Sequence, residues 1–569
     1  MKLREVTAGF TTLGLGLGLG LGLPTAQAGG MFLPGSGAIS TSRAGAAVAS
    51  TDDGEALGIN PAGLTKTQGT TITISAAIIS YALEFQRTGN YDSIESEARP
   101  YEGQPYPLVK NDPSLPLGIG SFQPVPVVAL VSDLGGRVPG LTVAVGLYAP
   151  NAYPFRDMTN GYQFNGDFDA APPPARYDIM TQEAALLFPS IAFAYQMLPE
   201  LDIGLRLSWG FSHIKSTVAV WGSPANYEEA ITHDAAITID ARDNFVPTFG
   251  WGMLYRPHTN VEVGFNFNWR AVMHAKGTGT SLSGPEVSFN MQPTVIGPAA
   301  DDPGFTRCAS GGTFAAQKAC VDLQLPMNAQ TGVRYKFLDD SGNLKADIEL
   351  DVGWENWGAR CSNNKSYVEG CTSPGQYRVV VDAAAYVDAN GDGDLEESEI
   401  AVHLKDNVVD HRFKDTYSMR LGGSYHIALS DELAEPGEDR AKVIVRGGVG
   451  YDTRAAEEGW LRADIDGAGR TTATLGASYR ARKWEVSIGG GMIFEGTNTN
   501  AGTCNPEPSM AQPQPGCAPD GSTQPIDVRQ GPDPINPIIV PESQLQSPIA
   551  QGTFKSSYKL LMLGFSTWF

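Results

Sequence analysis

Large apolar residues recur at every second position over long stretches of this chain, with polar or small residues between them. Leu201, Ile203, Leu205, Leu207, Trp209 and Phe211 oppose Asp202, Gly204, Arg206, Ser208, Gly210 and Ser212. Val261, Val263, Phe265, Phe267 and Trp269 oppose Glu262, Gly264, Asn266, Asn268 and Arg270 in the same way. Ala346, Ile348, Leu350, Val352 and Trp354 oppose Lys345, Asp347, Glu349, Asp351 and Glu355. A period of two over such lengths is a strand with one apolar and one polar face. The pattern predicts fourteen strands: 71–87, about 120–134, 141–150, 182–197, one from 201, 235–256, 261–280, 319–337, 345–357, 415–428, 441–453, 470–481, 484–495 and 553–569. In the first of these the apolar phase moves from Ile72 and Ile74 to Ile79, Tyr81, Leu83 and Phe85, which predicts a bulge near Ala76–Ala77. Pro126, Pro189 and Pro247 lie inside strands, where proline removes a ladder donor and marks a bulge, bend or edge.

The connections sort by parity. Those after even-numbered strands are short and those after odd-numbered strands mostly long, so a meander places the long loops on one side. After residue 28 no segment approaches the roughly 18 uninterrupted apolar residues of a spanning helix, yet 42% of the residues are hydrophobic and 66 are glycine. A membrane protein without spanning helices has one architecture left, a closed barrel whose backbone groups pair between strands. The fold class expected is therefore all-β, a 14-stranded antiparallel transmembrane barrel. The competing reading, a large secreted soluble β-protein, gives no reason for segregated loops.

Residues 1–28 read as a secretory signal: Lys2 and Arg4, an apolar run from Phe10 to Leu23, and Ala26-Gln27-Ala28 as a small-x-small cleavage site. A net charge of −22 argues against nucleic acid as a partner. The six cysteines fall as local pairs, Cys308 with Cys320, Cys361 with Cys371 and Cys504 with Cys517, and an even count in an exported chain favours disulfides. Asp388 to Glu399 matches the twelve-residue calcium loop. Oxygen ligands fall at Asp388, Asn390 and Asp392, Gly393 at the sharp turn, the Asp394 carbonyl next, then Glu396 and the bidentate Glu399. Val379-Val380-Val381 before it reads as a strand, so a calcium-binding loop is expected, not a paired EF-hand. Its calcium would order the loop. Inward-facing Arg206, Arg270, Arg334, Arg420 and Arg446 stand against Asp202, Glu262, Asp347, Glu349 and Asp351; buried charges must be paired. Pairing between wall and lumen accounts for them, with an arginine meeting a substrate carboxylate as the alternative. No G-x-S-x-G or H-E-x-x-H occurs and the seven histidines are scattered, so no enzyme and no catalytic cofactor is expected.

Gly29 to Leu64 is too poor in large apolar residues to form a domain, and it ends on Asn60-Pro61-Ala62. Its place between a signal and a barrel resembles the N-terminal hatch of the FadL family of outer-membrane channels for long-chain fatty acids and other hydrophobic molecules. The resemblance implies a plug over residues 29–70 inside a barrel over 71–569, with 358–414 as its longest insertion. The last strand ends on Phe569 with apolar residues at alternate positions, resembling the insertion signal read by the barrel-assembly machinery of bacterial outer membranes. A kink in the third strand opens a lateral window in that family, and Gly146 and Pro150 are the nearest candidates here. The implied function is passive uptake of fatty acids or hydrocarbons across a Gram-negative outer membrane, by a monomer surrounded by lipid and lipopolysaccharide. The alternatives are a water-filled porin, which has no need of a plug, and a barrel-anchored, calcium-dependent surface-binding protein.

Overall fold

The computed structural model describes residues 28–569 except 68, 96, 116–117, 119, 165, 222–228, 290–291, 300–307, 309–310, 360–371, 405–406, 430–440, 458, 466 and 501–550. The expected export signal, but for Ala28, and Cys361, Cys371, Cys504 and Cys517 lie outside the described residues.

Fourteen antiparallel strands close into a barrel. They are β1 (Thr70–Arg87), β2 (Gln123–Ser132), β3 (Leu141–Tyr148), β4 (Thr181–Leu198), β5 (Leu201–Trp221), β6 (Asp234–His258) and β7 (Val261–Asn268 with Ala271–Ser283). The circle continues through β8 (Gln317–Leu325 with Asn328–Leu338), β9 (Leu344–Glu355), β10 (Thr416–Ala428), β11 (Lys442–Arg454), β12 (Arg470–Ala481), β13 (Trp484–Asn500) and β14 (Gly552–Trp568). β14 pairs with β1 from Thr71 opposite Trp568 to Arg87 opposite Gly552, so the sheet has no free edge at the closure. Phe569 completes the seam, its amide donating to the Thr70 carbonyl at 2.9 Å. The turns after even strands gather at one end of the barrel and the longer loops at the other, as the parity of the connections predicts.

The bulge expected near Ala76–Ala77 is absent: β1 pairs with both neighbours without a register shift there. Odd-numbered residues of β1 face inward along its whole length, first Thr71, Thr73 and Ser75, then Ile79, Tyr81, Leu83 and Phe85. The strand keeps its face; what changes is the content of the lumen, polar near the short turns and apolar beyond.

A true change of face occurs in three adjacent strands. Near the short turns the inward residues of β6 to β8 are even-numbered, among them Leu254, Glu262, Asn266 and Arg334. Farther along they are odd-numbered, among them Ile239, Met273 and Val321. The switch falls on a bulge between β5 and β6 at Gly210/Ser212, between Asn268 and Ala271, and between Leu325 and Asn328. Strands expected to be continuous over 261–280 and 319–337 are therefore each built of two segments. Arg270, expected to face inward, lies in the break, exposed, 5.7 Å from the centre of the Trp269 ring. Pro247 lies beside the bulge of β6, Pro189 where the β4–β5 ladder is skipped between Leu187 and Ser190, and Pro126 where β2 loses its pairing to β3. Each is a place where an amide donor is not needed.

Residues 30–67 thread the barrel interior. They form two short helices, α1 (Ala38–Ser42) and α2 (Ala56–Ile59), and a 3₁₀ helix over Pro61–Lys66. The Glu55 carboxylate accepts from the Ile39 and Ser40 amides, each at 2.9 Å, which satisfies donors that a helix N-terminus leaves free. Asn60 caps the 3₁₀ helix, its Oδ1 accepting from the Ala62 amide at 3.1 Å, and Pro61 needs no donor at the first helical position.

Candidate functional site

The inner segment rests on glycines of the wall. A Cβ at Gly252 would lie 2.0 Å from Asn60 Oδ1, one at Gly204 2.3 Å from the Ala62 amide nitrogen, and one at Gly448 2.3 Å from the Arg43 carbonyl carbon. Small residues on both sides let backbone meet backbone, which explains how a segment poor in large apolar residues docks closely. Asn60 is fully buried and its amide nitrogen also donates to the Val48 carbonyl at 2.7 Å and the Met253 carbonyl at 3.2 Å. The Asn-Pro-Ala tripeptide thus fastens one turn of the segment to β6.

The rows of inward acids on β9 and β7 receive the rest. Arg43 is 3% exposed and holds Asp347 at 2.9 Å and Glu349 at 3.1 Å. Glu349 also accepts from the Ala49 amide at 2.6 Å, and Asp351 accepts from the Ala47 and Val48 amides at 2.9 and 3.1 Å. Lys66 reaches Glu262 at 3.1 Å, and Arg206 Nη1 donates to the Leu57 carbonyl at 2.6 Å. Arg334, Arg420 and Arg446 are taken by wall acids, Asp347 and Glu262, Asp452, and Glu485 respectively. Pairing between wall and inner segment, or within the wall, accounts for these charges.

Beyond the inner segment, on the side of the long loops, lies a cavity of about 420 Å³. Its wall is the apolar inner face of β4 to β8, with Leu186, Ile214, Ile239, Met273 and Val321. Its roof comes from the loops after β3, β9 and β11, with Ile179, Tyr377, Val409, Arg462 and Ile465. These loops are bound together inside the protein, Arg462 to Asp178 at 2.7 Å and His411 to Asp464 at 3.0 Å, and Arg176 ties the loop after β3 to Asp234 of β6 at 2.7 Å. A second space of about 130 Å³ follows the inner segment toward the short turns and is more polar, with Ser36, Arg206, Asn266 and Asn268. Phe32 borders both spaces, 5.8 Å ring to ring from the buried Trp357. Alternation in β4 to β8 pointed the polar face inward; it did not separate the polar stretch that meets the inner segment from the apolar stretch that lines the cavity. Ile214, Val218 and Val220, on the inward parity past Phe211, carry the available signal.

β3 ends at Tyr148. Gly146 lies in regular register inside it, opposite Ala129 and Ser190, and a Cβ there would lie 2.7 Å from the Leu57 side chain. It is a docking seat, and the departure from the sheet begins just before Pro150. Among the described residues, Gln123–Pro126 of β2 pair with β1 on one side and with no strand on the other. Pro124, Pro150 and Ala185, around this gap, line the large cavity.

Cys308 and Cys320 form a disulfide. The Asp388–Glu399 stretch joins the strands Gln376–Tyr386 and Ile400–His403, which pair with each other, so a hairpin carries it in place of two helices. Asp388, Asn390 and Asp392 accept from amides within the turn, with Gly391 and Gly393 at positive φ. Glu399 spans the stretch, accepting from the Ala389 amide at 3.1 Å and the Glu396 amide at 3.2 Å. Asp394 and Glu396 lie on the same turn, and among the described residues no three acidic, histidine or cysteine side chains are gathered around one point.

Comparison with solved structures finds the same fold in a Pseudomonas aeruginosa FadL homologue, at 11% identity and a TM-score of 0.60, covering 95% of this chain and all of the other. The Pseudomonas putida toluene transporter TodX matches at 12% identity and 0.53, covering 95% and 100%. The Ralstonia pickettii toluene transporter TbuX matches at 12% and 0.51, covering 94% and 99%. Comparison with curated proteins finds no significant match. Residues 22–499 match the family described as outer membrane protein transport protein (OMPP1/FadL/TodX). A closed 14-stranded barrel and a family match over most of the chain lead to one conclusion: the chain belongs to the FadL/TodX family of bacterial outer-membrane transport proteins.

Proposed function

We propose that the protein carries out passive uptake of hydrophobic molecules, hydrocarbons or fatty acids, through the outer membrane. The long loops capture the molecule, the 420 Å³ cavity holds it, and the inner segment acts as a hatch that keeps water and ions from passing. The observation that carries this reading is an apolar cavity stacked directly on a polar, ion-paired plug. A water-filled porin has use for neither. Two exits suit the geometry: past Phe32 when the hatch shifts, or sideways through the gap beyond Tyr148, where β3 no longer separates β2 from β4. Two of the similar structures are toluene transporters, which supports a hydrophobic substrate. Replacing the cavity residue Leu323 with Trp projects a bulkier ring into the space. The expected result is slower hydrocarbon uptake in proteoliposomes with normal heat-modifiable migration of the barrel. Uptake at the wild-type rate with the cavity so narrowed contradicts the proposal.

Residues 388–399 serve, on this reading, as a calcium-ordered surface turn within the loop over 356–415. The donor chemistry fits, six oxygen-bearing residues at the calcium-loop spacing, and Glu399 would give up its two amides to bind. Affinities of roughly 10⁻⁴–10⁻³ M are expected of extracellular sites. Glu399→Gln should weaken calcium binding at least severalfold by calorimetry; an unchanged isotherm refutes the assignment. The same reading places the chain as a monomer among lipid and lipopolysaccharide, inserted by the barrel-assembly machinery through the Phe569 strand and exported by the cleaved signal.

A further inference from the structure

The outward face of β5 to β7 changes character where the bulge and the strand break fall. On β5 the outward row runs Leu201, Ile203, Leu205, Leu207, Trp209 and Phe211, then turns to His213 and Lys215. On β6 the exposed Tyr255, Trp251, Phe249 and Phe245 give way to Arg242 and Asp240. On β7 Phe265, Phe267 and Trp269 give way to His274 and Lys276. The apolar row of β5 has the length that a tilted strand needs to cross the hydrocarbon core, and aromatic side chains mark its rim. The charged rows therefore begin at headgroup level, on the side of the long loops.

Within this patch two cations face each other across the ladder. Arg242 pairs in register with Lys276 of β7 on one side and with His213 of β5 on the other. Directly opposite side chains have Cβ atoms about 4.5–5.5 Å apart, and like charges so placed repel. Arg242 and Lys276 are both exposed, and neither side chain makes an ion pair or hydrogen bond among the described residues. The acids nearby are engaged elsewhere. Asp240 meets His213 at 2.9 Å, and Asp322 meets His274 at 2.7 Å and Arg378 at 3.3 Å. Asp243 accepts from the Phe245 and His274 amides at 2.9 and 2.8 Å. Lys215, exposed two residues beyond His213, stands in register with Asp240 on one side and Glu183 of β4 on the other, without an ion pair to either. An anion seated between Arg242 and Lys276 turns their repulsion into two attractions, and a phosphate matches the guanidinium fork.

We propose that Arg242 and Lys276 hold a phosphate of an outer-leaflet glycolipid, the lipid A part of lipopolysaccharide, whose acyl chains lie along the apolar wall beside it. Two strand spacings, about 10 Å, separate Lys276 from Lys215, so a disaccharide bearing two phosphates spans both places and a single phosphodiester does not. This rests on the reading that the long loops face the cell exterior with lipopolysaccharide around the barrel.

The test titrates the delipidated full-length barrel in detergent with diphosphoryl lipid A and with phosphatidylglycerol, read by native mass spectrometry and by the thermal-unfolding midpoint. Lipid A should raise the midpoint and bind at least about tenfold more tightly than phosphatidylglycerol. In the double variant Arg242→Gln with Lys276→Gln its affinity should fall at least about tenfold, as hydrogen bonds to charged groups are lost. Both side chains are exposed and their repulsion is removed, so the lipid-free variant should unfold no earlier than the wild type. Lys345→Gln, exposed at the short-turn end, should bind lipid A as the wild type does. Unchanged lipid A binding in the double variant, or equal binding of phosphatidylglycerol to the wild type, overturns the proposal. Displacement of lipid A by an equal concentration of inorganic phosphate also overturns it and marks a free-anion site. Orientation is read separately: an impermeant maleimide should label Ala171→Cys, in the loop after β3, on intact cells. Labelling only after lysis overturns the orientation, and the outer-leaflet assignment with it, whatever the titration shows.

Discussion

Arg43 shows how one side chain decides where the inner segment rests. Its guanidinium is shared by Asp347 and Glu349 on one strand, and removing one partner of such a buried pair costs about 3–5 kcal/mol, because the other charges stay buried and uncompensated. Glu55 does comparable work inside the segment, accepting from two amides of α1, from the Ser40 hydroxyl and from Ser75 on β1 at 2.8 Å. Burial pushes the Glu55 carboxyl up from its usual value. It pushes Asp53 well up too, with the Glu55 charge adding to the shift. Acids with raised values in the folded state hold protons that the unfolded chain has released. Their contribution to stability is therefore complete below the ordinary carboxylate range and declines as pH rises from that range through the raised values. The double variant Asp53→Asn with Glu55→Gln should lose this part of the pH dependence, seen as a flatter thermal-unfolding midpoint across that window. A variant profile parallel to the wild type contradicts the assignment.

At the scale of elements, much was legible because a half-buried strand writes its two faces into alternate residues. β5 and β9 follow their predicted faces residue by residue. β7 and β8 do not, because a face switch at Asn268–Ala271 and Leu325–Asn328 leaves no more trace in sequence than a polar pair or a proline. The apolar shift in β1 looked like such a switch and was not one, since an inward face can be polar or apolar according to what fills the lumen at that height. Sequence alternation reports environment, and only indirectly direction. The early end of β3 belongs to this scale too. If the gap beside Gln123–Pro126 opens to the bilayer, a nitroxide at Ala152→Cys, a cavity-lining position, should collide more with oxygen than with a water-soluble nickel complex in reconstituted membranes. Preferential collision with the nickel complex places the gap in water and removes the sideways exit.

For the whole molecule, the strand count, the segregation of loops and the small-residue segment inside the barrel could be read from the chain. The binding space could not. It is enclosed by β2, by one face of β4 to β8 and by three loops widely separated in sequence, and Arg462, Asp178 and Tyr377 come together only once those loops fold over the barrel mouth. On the proposed reading the labour is divided: the inner segment below denies passage to water and ions, and the apolar space above admits what water rejects. Native mass spectrometry with extraction of bound small molecules, on protein purified from outer membranes, tests this most directly. The account predicts a hydrophobic molecule retained near one to one with the barrel, and no steady ion conductance in planar bilayers. An empty barrel that conducts ions steadily would contradict it.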